Sequence, residues 1–227
     1  MSAGPAGDGL RAPRRAYVDW ARGVAVLLMI EAHTLDAWTR LNVRRTIAFR
    51  DATILGGFAA PLFLWLAGLA VVLAATRAAE RGVSRRSAVD MICRRGLEIF
   101  ILAFLFRVQG FIVTPGSHVV TIFRVDILNI MGPSIVVAGL VWGLARTAEA
   151  RVLWYGAIAS AVGMLTPIVR DASLVDALPV WFQMYMRPAG DLTIFTLLPW
   201  AGFVFAGGAL GALIATARGH GNNFQAS

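Results

Sequence analysis

The chain has 227 residues, of which 58% are hydrophobic; a soluble domain holds about 45–50%. Its basic residues are all arginine, 21 of them against 13 acidic residues, for a formal charge of +8. They lie in the tail and between apolar runs rather than on a soluble body, which excludes a nucleic-acid partner and points to topology, anionic head groups and phosphorylated ligands.

Residues 1–16, MSAGPAGDGLRAPRRA, form a basic Gly/Pro/Ala-rich tail expected to be disordered. The apolar run after it ends in Glu31, His33 and Asp36 with no cleavage site, so it reads as a retained first span and not as a signal peptide. Spans are predicted over residues 17–38, 52–76, 91–113, 125–146, 151–169 and 193–217, each long enough for a bilayer. Runs this long are helices and not barrel strands, so the expected fold is all-α: a polytopic membrane bundle of about six helices over 17–217, followed by a 218–227 tail. With the N-terminus inside, twelve arginines fall on the inner side and eight on the outer, with Arg22 within span one. That bias predicts a multi-pass membrane protein with a cytoplasmic N-terminus. The segment 170–191 carries Trp181, Tyr185 and two prolines and reads as interfacial.

Span one holds the most informative pattern. Arg22 and His33 are eleven residues apart, about 20° around a helix and about 16 Å along it. Asp19 and Asp36 fall within about 40° of the same stripe. Ionisable side chains within a span mark function by default. Imidazole can take and return a proton near neutral pH or carry an acyl group, and a guanidinium matches phosphate oxygens. Acyl transfer fits, with Asp36 orienting His33. Two plainer readings stand beside it: a histidine with a wet tip at the interface, and a structural Asp19–Arg22 pair.

Other polar groups invite the same double reading. Glu98 follows Arg94 by four residues and Arg95 by three, as a structural pair or as neighbours of a phosphorylated donor. Asp126 and Asn129 share a face at the start of span four, as helix glue or as ligand contacts, with Arg124 placed to neutralise Asp126. Arg107 and Gln109 close span three on the outer side, where a polar ligand would approach. His118 reads as a solvated loop residue, and His220 as part of the tail. Gly207 and Gly211 have the spacing of close helix packing. The lone Cys93, at a predicted helix start, excludes an intramolecular disulfide and reads as a structural thiol. The scattered histidines offer no metal site.

The string YVDWARGVAVLLMIEAHTLDAW resembles the opening of a membrane acyltransferase superfamily: Asp, two residues, Arg-Gly, an apolar run, then His. AAPLFLWLAG, RRGLEIFILAF, VDILNIMG and LLPWAGFVFAGGALG follow in order. Together they resemble the heparan-alpha-glucosaminide N-acetyltransferase catalytic-domain family and, more distantly, the acyltransferase-3 family. The resemblance implies acetyl-CoA or another acyl-CoA as donor substrate on the cytoplasmic side, with no permanently bound cofactor. It also implies a glycan or other acceptor across the membrane, and membrane lipid around the bundle. His33 and Asp36 would be catalytic, Arg22, Arg95 and Glu98 would hold the donor, and Arg107, Asp126 and Asn129 the acceptor. Animal lysosomal members place their histidine in the loop after span one, and no His lies between Thr34 and Ala52 here, so His33 takes that role by its match to bacterial relatives. Members usually have more than six spans, so a truncated chain, an oligomer or a partner chain is expected. The rival functions are a transporter whose charges line a path, and an inactive fragment.

Overall fold

The computed structural model describes residues 16–224, without the side chains of Asp191 and of residues from Arg218 onward. Residues 1–15 of the predicted 1–16 tail, the last three residues and the His220 side chain lie outside the described residues, while Ala16 is already helical. The chain divides into two compact units at Ala59/Ala60.

The first unit holds α1 (Ala16–Trp38) and α2 (Ile47–Gly56). Thr46 caps α2 by accepting from the Phe49 N–H at 3.2 Å. Gly56 sits against α1, where an added Cβ would lie 2.7 Å from Glu31 Oε2 and 2.9 Å from the Ala32 Cβ.

The second unit holds α3 (Ala59–Glu80), α4 (Arg85–Val113), α5 (Ile127–Leu144), α6 (Ala148–Asp171), α7 (Val180–Met186) and α8 (Leu197–Phe224). No strand forms among the described residues; an isolated parallel bridge joins Val125 to Thr193. The all-α expectation is met. Among the described residues, five helical stretches are long and apolar enough to cross a membrane: Ile47–Glu80, Arg85–Val113, Ile127–Leu144, Ala148–Asp171 and Leu197–Ala217. The sixth expected span, α1, is helical and 23 residues long, but Asp19, Arg22, Glu31 and Asp36 interrupt its apolar character. Helix α8 continues to Phe224, past the end of its apolar stretch.

Local chemistry sets the helix ends. Gly82, at φ +82°, closes α3, with the Val83 N–H reaching back to the Ala78 carbonyl at 3.0 Å. Ser84 then caps α4 through the Ser87 N–H at 3.1 Å, so α4 begins six residues before the apolar run and Cys93 lies inside it rather than at its start. Thr147 caps α6. Short loops therefore join α3 to α4 and α5 to α6 at one end, and the longer segments 114–126 and 172–196 occupy the other.

Small residues set the packing. Gly96 and Gly132 let α4 and α5 meet backbone to backbone, each placing a hypothetical Cβ 2.8 Å from the other's carbonyl oxygen. Gly208 accommodates the Tyr155 ring, so α6 lies on α8, and Gly68 and Gly207 bring α3 onto α8. Leu64, Val72, Ile135, Trp142, Tyr155 and Val204 form one buried cluster among these helices. Helices α4 and α6 are only 11% buried over their apolar windows, against 44% for α5. Their outward residues, such as Leu97, Leu105, Leu153 and Met164, are exposed, as expected of a surface facing hydrocarbon.

At the short-loop end Trp142 donates to Thr76 Oγ1 at 3.3 Å, and Arg151 lies 4.4 Å from its ring centroid. Arg85 donates to the Gly143 carbonyl at 3.0 Å and Arg151 to that of Ala145 at 3.2 Å. These cations satisfy carbonyls at the α5 C-terminus, where positive charge is favoured.

Candidate functional site

The residues singled out from sequence fall into both units. In the first, Arg22 pairs with Asp19 at 3.7 Å, as the i,i+3 reading expects. His33 is exposed, and among the described residues no hydrogen bond or ion pair holds its imidazole. Asp36 is not turned to His33: its carboxylate lies 3.6 Å from Arg44. Arg44 also donates to the Asp36 carbonyl and, at 3.2 Å, to that of Thr39, so it closes the C-terminal end of α1. The orienting role expected of Asp36 is thus replaced by a link to the following segment. The physical reason is reach, since the chain turns back and brings a guanidinium that no one-helix projection contains. Glu31, on another side of α1, keeps Oε2 buried without a hydrogen-bond partner beside Gly56. Its only sequence signal was a carboxylate in an apolar run.

The second unit brings together two clusters along α4. Toward the short-loop end, Arg95 pairs with Glu98 at 3.1 Å, and Arg94 with Asp90 at 2.9 Å. The expected Glu98 partner is therefore Arg95; Asp90 was missed. Both pairs are largely exposed, so each contributes about 1 kcal/mol at most where water reaches it. They line a cavity of about 730 Å³ whose other wall is Ala67, Ala70 and Ala74 of α3. The small side chains leave room there, and the charges face it.

Toward the long-loop end, Arg107 and Asp126 form an ion pair with 22% and 23% of their side chains exposed. This corrects the expectation that Arg124 neutralises Asp126. Arg107 was assigned from location alone, and the fold brings it to the acidic residue nineteen positions on. Asp126 also caps α5, accepting from the Leu128 N–H at 3.3 Å, while Asn129 Oδ1 accepts from the Asp126 N–H at 3.1 Å. This reciprocal capping box explains the Asp-x-x-Asn spacing. Asn129 is 1% exposed. Burial raises the pKa of the nearby Tyr185 of α7, and its interaction with the Asn129 side chain opposes that rise. Tyr185 was read from sequence as an interfacial aromatic; nothing local to it announced Asn129.

Removing one partner of a buried ion pair strands a charge, at about 3–5 kcal/mol. For this partly exposed pair, Arg107→Met is expected to destabilise by about 2 kcal/mol, discounted for solvent. The double variant Arg107→Met/Asp126→Asn should recover most of that loss. Thermal unfolding in detergent checks both; equal melting of the single and double variants would contradict it.

Tyr185 also lines a second cavity, of about 560 Å³, with Phe100, Phe104, Phe123, Trp181 and Phe182. Arg95 and Phe104 are nine residues apart, about 180° around α4 and about 14 Å along it. The charged cavity and the aromatic one therefore sit on opposite faces of the helix. His118 is exposed beside the 3-10 turn Val119–Phe123.

Residues 14–226 match the family model described as heparan-alpha-glucosaminide N-acetyltransferase, catalytic. The chain belongs to this family. No curated protein and no solved structure matches it. As a member of the heparan-alpha-glucosaminide N-acetyltransferase catalytic-domain family with several membrane-spanning helices, it is a multi-pass membrane protein of acetyltransferase type. Acetyl-CoA is the donor the family implies. The match covers the segments with His33, the α4 charges and Asp126 alike.

Proposed function

We propose that this protein moves an acetyl group from acetyl-CoA to a sugar amine or hydroxyl on the far side of the bacterial inner membrane. The family match over residues 14–226 carries the reading. Arg77, Arg81, Arg85, Arg86, Arg146 and Arg151 crowd the short-loop end, against Arg107, Arg124, Arg170 and Arg187 at the other. The positive-inside bias makes the short-loop end cytoplasmic and is consistent with a cytoplasmic N-terminus. Arg95 and Glu98, in the charged cavity, would then meet the donor. Arg107, Asp126 and Asn129 at the opposite end would meet the acceptor.

In direct transfer the His33 imidazole accepts the proton of the acceptor amine or hydroxyl as that atom attacks the acetyl carbonyl carbon. The new C–N or C–O bond forms, the thioester C–S bond breaks, and its electron pair leaves on sulfur. The proton passes from His33 to the CoA thiolate. In the acyl-carrier variant, a His33 nitrogen makes the first attack and the acceptor displaces the acetyl group from it. Asp36 stays with Arg44 and shapes the segment one turn beyond the histidine.

The test is transfer from radiolabelled acetyl-CoA to glucosamine-bearing acceptors by purified protein in liposomes. Arg95→Met is expected to raise KM for acetyl-CoA several-fold with kcat little changed, the signature of a binding contact. Absence of transfer to any amine or hydroxyl sugar would overturn the reading.

A further inference from the structure

The aromatic cavity has walls of the wrong chemistry for a sugar. Phe100, Phe104 and Phe123 line it with Trp181, Phe182 and Met186. A glycan site needs convergent hydrogen-bonding groups, whereas an apolar lining favours an apolar guest.

Depth fits the same guest. Phe100 precedes the end of α4 at Val113 by thirteen residues, about 20 Å of helix. Pro133 lies six residues, about 9 Å, inside α5. The floor of the cavity is thus within the span, level with hydrocarbon. Its wall is not closed off: Phe123, Trp181 and Phe182 are 45%, 55% and 55% exposed. Trp181 stacks obliquely on Phe123 with ring centroids 6.4 Å apart, a rigid aromatic edge of the kind that sits at head-group level.

The cavity also has one polar end. Tyr185 lines it and interacts with Asn129, which shares a capping box with Asp126, the ion-pair partner of Arg107. Arg107 keeps its Nε buried without a hydrogen-bond partner, and so does Arg124, the residue after Phe123. An apolar slot at membrane depth, with one tyrosine in its lining that interacts with the capping residue Asn129, matches an amphipathic molecule with its chain down and its oxygen-rich head up.

We propose that this cavity binds the hydrocarbon chain of a lipid-linked sugar acceptor, presenting its head at Arg107, Asp126 and Asn129. The inference rests on the acceptor end assigned above and narrows the acceptor from a soluble glycan to a saccharide on a lipid anchor. Lipid anchoring would raise local acceptor concentration and fix its approach along one face of α4.

The test uses the full chain in nanodiscs and dodecyl glucosaminide with a terminal diazirine. On irradiation, label should concentrate on peptides 100–104 and 180–186 and fall several-fold with excess unlabelled dodecyl glucosaminide. The same concentration of glucosamine should leave it unchanged. Trp181→Ala, at a half-exposed site that tolerates truncation, should also reduce it several-fold. Label spread in equal measure over the lipid-facing residues Leu153, Met164 and Ile168 of α6 would overturn the proposal, as would labelling indifferent to the dodecyl competitor. Acetyl transfer is read separately. Specific labelling with no transfer to any acceptor refutes the acetyltransferase reading and leaves the lipid site standing. Transfer to glucosamine and dodecyl glucosaminide with the same KM, without specific labelling, refutes the lipid site alone.

Discussion

Replacing His33 with alanine is expected to lower acetyl transfer by roughly 100- to 10,000-fold, the usual contribution of a positioned general base. The fold should survive, because His33 is exposed on α1 and no described contact depends on its ring. A thermal melt matching the wild type would therefore accompany the loss of rate. Incubation with acetyl-labelled CoA separates the two routes. Label retained on wild-type protein and absent from His33→Ala indicates an acyl-imidazole; no label on either, with the rate still lost, indicates direct transfer with His33 as base. Full transfer by His33→Ala would remove the histidine from the chemistry. Asp36→Asn should cost less, about tenfold or below, because its carboxylate serves Arg44 rather than the imidazole.

The largest structural effect is expected at Gly207. A methyl group there would sit 1.8 Å from the Trp65 carbonyl oxygen, and one at Gly68 the same distance from that of Val204. In both cases the obstacle is backbone, which cannot swing aside as a side-chain tip can. Gly207→Ala would force α3 and α8 apart along a seam that also buries Leu64, Val72 and Val204. Overpacking typically costs about 1–3 kcal/mol and more where relaxation is blocked. In lipid, helix association depends on this close contact, since hydrocarbon is as apolar as the helix surfaces. The expected result is a fall in melting temperature on the order of 10 °C and a loss of the monodisperse peak in gel filtration. Gly156→Ala and Gly163→Ala, with nothing within 4 Å of the added carbon, are the controls and should melt at or slightly above wild type. Wild-type melting of Gly207→Ala would show that the seam is looser than the geometry requires.

Much of the site was legible as pairs along one helix. Asp19 with Arg22, Arg95 with Glu98, and Asp126 with Asn129 are three residues apart, and the helical repeat alone places such residues side by side. Partners beyond one helix were not legible. Arg107 reaches Asp126 because α4 returns beside α5, Arg44 reaches Asp36 because the chain doubles back after α1, and Tyr185 reaches Asn129 from a seven-residue helix in a loop.

By itself the sequence determined the all-α membrane class, the positions of the apolar helices, the family and the Gly207/Gly211 packing signal. The family is carried by motifs in chain order and the others by local composition or by periodicity along one helix, and none depends on what the helix meets. Only the tertiary structure decided that Asp36 answers to Arg44, and that charged and aromatic cavities occupy opposite faces of α4. A cavity is the space left between helices whose registers are set by glycine contacts such as Gly96 with Gly132. Its shape is therefore a property of the assembly, which no single stretch of sequence contains.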